Sequence, residues 1–512
     1  MADTDAMTEG SLSQSTRVRH FWAILLVLLL FTVGYRSLGI TRPLVGNFST
    51  KSVIYAMIAR NWAEGRAGLL YPTMDVMVGG ERSLHMLEFS VSAQLTGALW
   101  KWCGGSLDVW GRATSIAFLT ASVWLLVVMV RRHHGDAAAI GAGAMLAFSP
   151  ISVIYGQTFM LDASIVFFTI STFYCTDRWL TSGRAMWLVP LAVSYALLLL
   201  TKVYLAVLLL PLAAMVLWPT RFGPTLCEPA RPLPRRLRLA LVAAVVSAIP
   251  VGLWCFHAIR TAAPGSPYAE HIYSCLQGNA TSYRPPDPLL FTGDFYRQAL
   301  DNLTTVLLTP VGFALFLAGF LNRSWLRYLP WLAAMVLLVL ALPRKFHEMN
   351  YYYVAVLPPL CILVGLGWQV IAERVRPGRI AVAGLLFTAL VFSLRFAAKP
   401  AYETPAEDRA VVSAGQAIQK ITAPEEPVAT MHGTSITLLY YCHRPGWFIE
   451  PDTPDLKAVL EDCRRQGARY LVAAGSEGED NRLDERIGCR PVEVGGGYRI
   501  YALSFDKRFK QR

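Results

Sequence analysis

The chemically informative residues of this chain are the few charged ones that interrupt long apolar runs, most of them beside tyrosines. Asp162 closes the stretch Tyr155-Gly156-Gln157-Thr158-Phe159-Met160-Leu161-Asp162 between two such runs. A carboxylate there can take the proton of an attacking hydroxyl, or it can simply cap the helix that follows. Glu88, in His85-Met86-Leu87-Glu88-Phe89, offers a second acid beside a titratable imidazole, or a residue that favours a helix N-terminus. Arg60 ends a helical pattern, where it either meets an anion or snorkels to the interface. Lys202 parts two apolar runs in Leu200-Thr201-Lys202-Val203-Tyr204, as a turn lysine or as an ammonium facing an anion at headgroup level. The densest cluster is Arg344-Lys345-Phe346-His347-Glu348-Met349-Asn350-Tyr351-Tyr352-Tyr353. Its two fixed cations, His347 and the three tyrosines Tyr351, Tyr352 and Tyr353 suit a phosphate clamp with aromatic walls, or an interfacial Tyr/Arg belt.

The elements that must hold these residues are membrane helices. With a mean hydropathy of +0.40 and 16% charged residues the chain is too apolar for an ordinary soluble protein. Residues 21–40 form a first span, read as retained rather than cleaved. Further runs near 113–130, 137–155, 163–177, 186–201, 203–218, 239–258, 304–321, 328–342, 353–371 and 380–396 bring the expectation to about eleven spans. Basic residues, among them Arg131, Arg132, Arg235, Arg236, Arg238, Arg323, Arg327, Arg374 and Arg376, recur on alternate flanks. By the positive-inside rule this puts residues 1–20 in the cytoplasm, the span region 21–396 in a plasma (bacterial inner) membrane, and the rest outside. The net charge of +12 is concentrated in these short flanks, so it speaks for anionic headgroups and not for nucleic acid. Nine cysteines without a CxxC pair give no metal or redox motif. Cys442, Cys463 and Cys489 would lie outside, where one disulfide is compatible with the compartment.

Three outer loops, 41–112, 259–303 and 343–352, are long or polar for a helical bundle, and such loops carry function. The first holds helical patterns at 52–63 and 89–102, read as amphipathic helices lying along the interface. From about 397 charge density rises. Strand-like runs Pro427–Met431, Trp447–Glu450 and Tyr470–Ala474 alternate with helical patterns at 406–421 and 454–466, giving a small exported α/β domain over 397–512.

Taken in order, Tyr55-Ala56-Met57-Ile58-Ala59-Arg60-Asn61 with Gly65, Glu88-Phe89, Gly111-Arg112, Tyr155-Gly156-Gln157 to Asp162, Lys202, and His347 before Tyr351-Tyr352 resemble the polytopic GT-C glycosyltransferases of the protein-mannosyltransferase and lipid A aminoarabinose-transferase type. The resemblance runs over roughly 20–396. It implies a GT-C-like membrane bundle that moves a sugar from a polyprenyl-phosphate donor to a protein, lipid or polysaccharide acceptor outside the cytoplasm. For that chemistry the residues themselves offer Asp162 and Glu88 as the best-placed acids, and Lys202, Arg344, Lys345, His347, Tyr352, His85 and Arg60 for the donor phosphate and sugar. One position departs from the family pattern. Its expected base follows soon after the first span, whereas Thr41 to Ala63 contains no Asp or Glu and offers Asn47, Ser49, Thr50 and Lys51. An amide cannot act as a general base, so Asn47 and Lys51 are left to position an acceptor. No cofactor is established; a divalent cation is compatible with acids and His on one face, but no ligand spacing demands one.

Two other readings follow from the same residues. A transporter or lipid flippase places ionisable groups near mid-membrane within repeated halves, and no repeat is visible here. An inactive GT-C-like scaffold accounts for the missing first-loop acid and would tolerate substitution of Glu88 and Asp162.

Overall fold

A computed structural model describes residues 2–46, 49–78, 80–222, 230–261, 287–374, 391–392, 395, 402–404 and 406–503. Helix α1 (Ala2–Ser37) carries the first apolar run. The first loop then folds as α2 (Ser49–Ala63), a hairpin of β1 (Thr73–Val78) and β2 (Glu81–Leu84), and α3 (Val91–Cys103). The bundle continues with α4 (Leu107–Phe148), α5 (Pro150–Tyr155), α6 (Asp162–Ser182), α7 (Leu188–Thr201), a 3-10 turn over Val203–Leu208, α8 (Leu209–Leu217) and α9 (Leu233–Thr261). After these come α10 (Gly293–Asp301), a π-turn (Asn302–Leu307), α11 (Thr309–Gly319), α12 (Leu329–Ala341), α13 (Pro343–Glu348), a 3-10 turn (Asn350–Val356) and α14 (Leu357–Arg374).

Every apolar run from 21–40 to 353–371 falls on helical backbone, while 380–396 lies almost wholly outside the described residues. The protein is an integral membrane protein, and its apolar helices differ widely in length. By length and apolarity five helices among the described residues can span a bilayer, or six if the pair Gly293–Leu307 and Thr309–Gly319, bent by 103°, counts as one. Run 113–130 and the first part of 137–155 share α4, which Gly135 at φ 81° breaks in the middle, and the rest of the second run forms α5. The segments Ala185–Thr201 and Val203–Leu217 are short and part at Lys202. Small residues let the longest helices meet backbone to backbone: a Cβ at Gly365 of α14 would sit 2.3 Å from the Ala138 carbonyl oxygen of α4, and one at Gly367 1.9 Å from that of Leu315 in α11.

The C-terminal part comprises α15 (Ala406–Ile421), β3 (Val428–Met431), α16 (Thr437–Cys442), β4 (Gly446–Phe448), α17 (Leu456–Arg465), β5 (Tyr470–Ala474), α18 (Ser476–Glu479), α19 (Arg482–Ile487), β6 (Glu493–Gly495) and β7 (Tyr498–Ala502). Its sheet has the order β2-β1-β4-β3-β5-β7-β6, so the first-loop hairpin extends it through a parallel β1–β4 contact at Val76 and Gly446. The sequence reading treated the loop and the tail as separate, yet they share a core in which Val53, Met57 and Met74 pack with Val411, Leu438 and Val472. For the same reason α2 is not an interfacial amphipathic helix. Its residues Ser52 to Asn61 are all buried, because α3 covers one side and α16 with β1 the other. Cys442, Cys463 and Cys489 are free thiols, so no disulfide staples the tail.

Candidate active site

Glu88 is placed by short-range bonds that tie its loop to two neighbours. The His85 N–H donates to the Pro72 carbonyl (2.8 Å) and the Phe89 N–H to the Leu200 carbonyl at the end of α7 (3.0 Å). Ser90 caps α3 by accepting from the Ala93 N–H. Met86 and Phe89 then pack on Trp254 of α9, with the Phe89 and Trp254 rings 5.2 Å apart edge to face. On the other side α7 stops because Lys202 adopts extended backbone (φ −151°, ψ 103°) before the 3-10 turn, which brings its ammonium to Glu88.

The two side chains meet at a cavity of about 370 Å³ whose lining includes Lys51, Glu88, Lys202, Lys345, Tyr351 and Tyr352. Lys202 Nζ donates to Glu88 Oε1 at 3.3 Å, the Tyr55 hydroxyl donates to the same oxygen, and His85 Nε2 lies 3.8 Å from it. Tyr204, Tyr352 and Tyr351 form an aromatic wall, with ring centroids 5.5 and 4.9 Å apart in succession. Burial alone would raise the Glu88 carboxyl, but Lys202, His85 and Lys51 outweigh it and hold it well below the usual carboxylate range. Burial pushes the Lys51 ammonium below the usual lysine range; Glu88 opposes this, and Lys202 and Lys345 add to it. Three ammonium groups and one carboxylate line the cavity, and Asp162 acts on Lys202 and Lys51 from behind it, so positive charge remains in surplus.

Asp162 stands behind this group as the first residue of α6, 6% exposed. It does not line the cavity, but Tyr155, Tyr351 and Lys202 lie within its electrostatic reach. Its loop is clamped by α4: Arg112 donates to the carbonyls of Gln157 (3.1 Å) and Pro43 (2.9 Å), and the Ser115 hydroxyl to that of Thr158 (2.8 Å). Gly111 leaves room for the Phe159 ring, which a Cβ would meet at 2.3 Å. The Gly111-Arg112 pair noted in the sequence is therefore a loop clamp.

The remaining sequence candidates divide. Lys345 and Tyr352 line the cavity, and so does Lys51, which the sequence reading had assigned to the acceptor. Arg344 turns away, because its Nε donates to Asp287 Oδ2 at 2.6 Å. His347 does not line the cavity, and its backbone carbonyl accepts from Gln298. Arg60 is drawn to the sheet: it pairs with Asp75 at 2.5 Å, donates to the Tyr440 carbonyl and lies over the Tyr440 ring at 4.7 Å. The expected clamp thus corrects from arginine-rich to lysine-rich, since both arginines find carboxylates of their own. His85 reaches the site through Glu88, and Asn47 lies outside the described residues. Tyr351, read with its neighbours as an aromatic wall, lines the cavity, whereas sequence reasoning gave no site role to Tyr55 or Trp254. A tyrosine on the buried face of α2, one helical repeat beyond Lys51, was the available signal for the first. Among the described residues no three His, Cys, Asp or Glu side chains gather as a metal site.

Comparison with known proteins supplies the frame for this geometry. Residues 103–254 match the family model described as dolichyl-phosphate-mannose-protein mannosyltransferase. No curated protein matches the chain by sequence. Among solved structures, ArnT from Cupriavidus metallidurans bound to undecaprenyl phosphate superposes with a TM-score of 0.65 at 16% identity, over 96% of this chain and 99% of that one. The chain has the GT-C fold. Two further GT-C structures extend the likeness. The archaeal oligosaccharyltransferase AglB from Archaeoglobus fulgidus, in complex with an inhibitory peptide and a dolichol-phosphate, gives a TM-score of 0.55 at 12% identity over 89% of this chain and 69% of that one. The mycobacterial arabinofuranosyltransferase AftD gives 0.59 at 16% identity, over 95% and 40%.

Proposed function

We propose that the chain is a membrane glycosyltransferase that moves a sugar from a polyprenyl-phosphate donor to an acceptor hydroxyl on the non-cytoplasmic side. The observation that carries this reading is the cavity lined by Lys51, Lys202 and Lys345 with Glu88 as its one lining carboxylate. A site with surplus, partly buried positive charge selects an anion, and a lipid phosphate develops charge as it leaves. That the ArnT and AglB structures of the same fold hold undecaprenyl phosphate and a dolichol-phosphate supports the class of donor.

In this reading the acceptor oxygen attacks the anomeric carbon and the bond from that carbon to the phosphate oxygen breaks. The phosphate keeps the electron pair, stabilised by the lysines, while Tyr351 and Tyr352 wall the sugar. The acceptor proton passes to Glu88, the carboxylate that reaches the cavity. A base held far below neutrality is a weak proton acceptor. Bound phosphate changes this, since it draws Lys202 toward itself and sets a negative charge beside Glu88, both of which raise the carboxylate's proton affinity. Asp162 acts at one remove as a positioning charge. Residues 1–20 are assigned to the cytoplasm, 21–396 to the membrane part and 397–512 to the outside; the basic flanks of the spans support that orientation.

Lys345→Met tests the assignment. Donor kcat/KM should fall about 100-fold, as when one stabilising donor to a developing anion is lost, with acceptor KM little changed. A change confined to acceptor KM would remove the lysines from the phosphate site.

A further inference from the structure

We propose that a second cavity, on the arginine-rich side of the bundle, binds one acyl chain of an anionic phospholipid. It is bounded by α6, α7, α8 and α9 and measures about 300 Å³, twice the roughly 150 Å³ at which an apolar protein cavity stays dry and takes up benzene. Its walls offer water almost nothing. The hydroxyls of Ser247 and Thr176 are engaged by the backbone carbonyls of Ala192 and Thr172, and that of Tyr195 reaches the Ala206 carbonyl. It shares α7 and α9 with the lysine cavity but lies further along both. On α9 it takes Leu237 to Ser247 where the lysine cavity takes Val251 to Ala258, and at 1.5 Å per residue the two centres are about 19 Å apart along the axis.

Three observations choose the occupant. Leu209, Leu217, Leu237 and Leu241 line the cavity and are themselves exposed, so it opens sideways toward hydrocarbon, the direction from which a lipid chain enters. The α9 end of the cavity carries Arg235, Arg236 and Arg238, and Arg236 reaches the wall itself by donating to the Val216 carbonyl at 2.8 Å. Two buried donors at this end lack acceptors among the described residues: Arg236 Nε, and the indole N–H of Trp179, a lining residue. A phospholipid supplies what all three features ask for, with a chain for the cavity and ester and phosphate oxygens for the donors. Nothing in this assignment depends on the transferase reading.

Native mass spectrometry of the purified full-length chain, titrated with dioleoyl phosphatidylglycerol or dioleoyl phosphatidylcholine, tests it. One phosphatidylglycerol should bind at least about fivefold more tightly than phosphatidylcholine, the scale of one arginine near an anionic headgroup. Ala244→Trp, which fills the cavity, should abolish that binding, and Arg236→Gln should erase the headgroup preference. Since loss of a buried arginine can unfold the chain, Arg238→Gln serves as the exposed counterpart and should weaken the preference with an unchanged Tm. Equal binding of the two lipids, or binding unaffected by Ala244→Trp, overturns the proposal. So does stoichiometric displacement of phosphatidylglycerol by undecaprenyl phosphate, which would make the cavity an extension of the donor site.

Discussion

At the scale of single residues, Glu88 concentrates the chemistry because three groups converge on one of its oxygens. Its carboxyl is depressed in the folded state, so the stability it lends is present above its ordinary titration range near 4.5 and is lost as pH falls through the depressed folded value. We therefore expect Glu88→Gln to lower the Tm of the wild type at neutral pH, with the difference shrinking as the medium is acidified below that range. A Tm gap that widens on acidification would reverse the sign assigned to the lysines. Glu88, Lys202, Lys345 and Tyr352 were legible in the sequence as charges and aromatics at the ends of apolar runs. Arg344 and Arg60 were equally conspicuous and read the same way. What separates them is a partner carboxylate, Asp287 for one and Asp75 for the other, and the sequence pattern does not reveal such pairings.

At the scale of elements, α2 transmits the position of the sheet to the cavity. One end carries Lys51 and Tyr55; the other carries Arg60 and Asn61, both of which bond to Asp75 of β1. Asp75 is 1% exposed and also accepts from Arg82. Its removal strands a buried guanidinium, so Asp75→Ala should destabilise the protein by about 3–5 kcal/mol in thermal or chemical unfolding, while Asp75→Ala with Arg60→Met should recover part of the loss. Single and double variants of equal stability would show that the pair does not hold α2. The helices α2 and α3 were visible from apolar spacing. The hairpin between them was not, because β2 is only four residues long and its sequence, Glu81-Arg82-Ser83-Leu84, holds a single apolar residue.

For the molecule as a whole, the architecture joins a membrane bundle to a sheet whose strands come from both ends of the chain. Apolar runs identified the bundle, since length and hydropathy are local properties. The union of tail and first loop rests on a parallel pairing between residues about 370 positions apart, and no local pattern encodes it. If that union positions the cavity, a chain ending at residue 396 should insert in the membrane yet lose transfer, because α2 loses the packing of α16 and the sheet. Transfer at the full-length rate by that truncated chain would make the tail dispensable.

The measurement that bears most directly on the account is transfer of labelled sugar from polyprenyl-phosphate donors by the purified protein to an envelope fraction, comparing wild type with Glu88→Gln and Asp162→Asn. The account predicts incorporation by wild type, a loss of about 100-fold or more with Glu88→Gln, and a smaller loss with Asp162→Asn, which acts at one remove. Full transfer by Glu88→Gln, or no transfer by wild type from any donor, would contradict it.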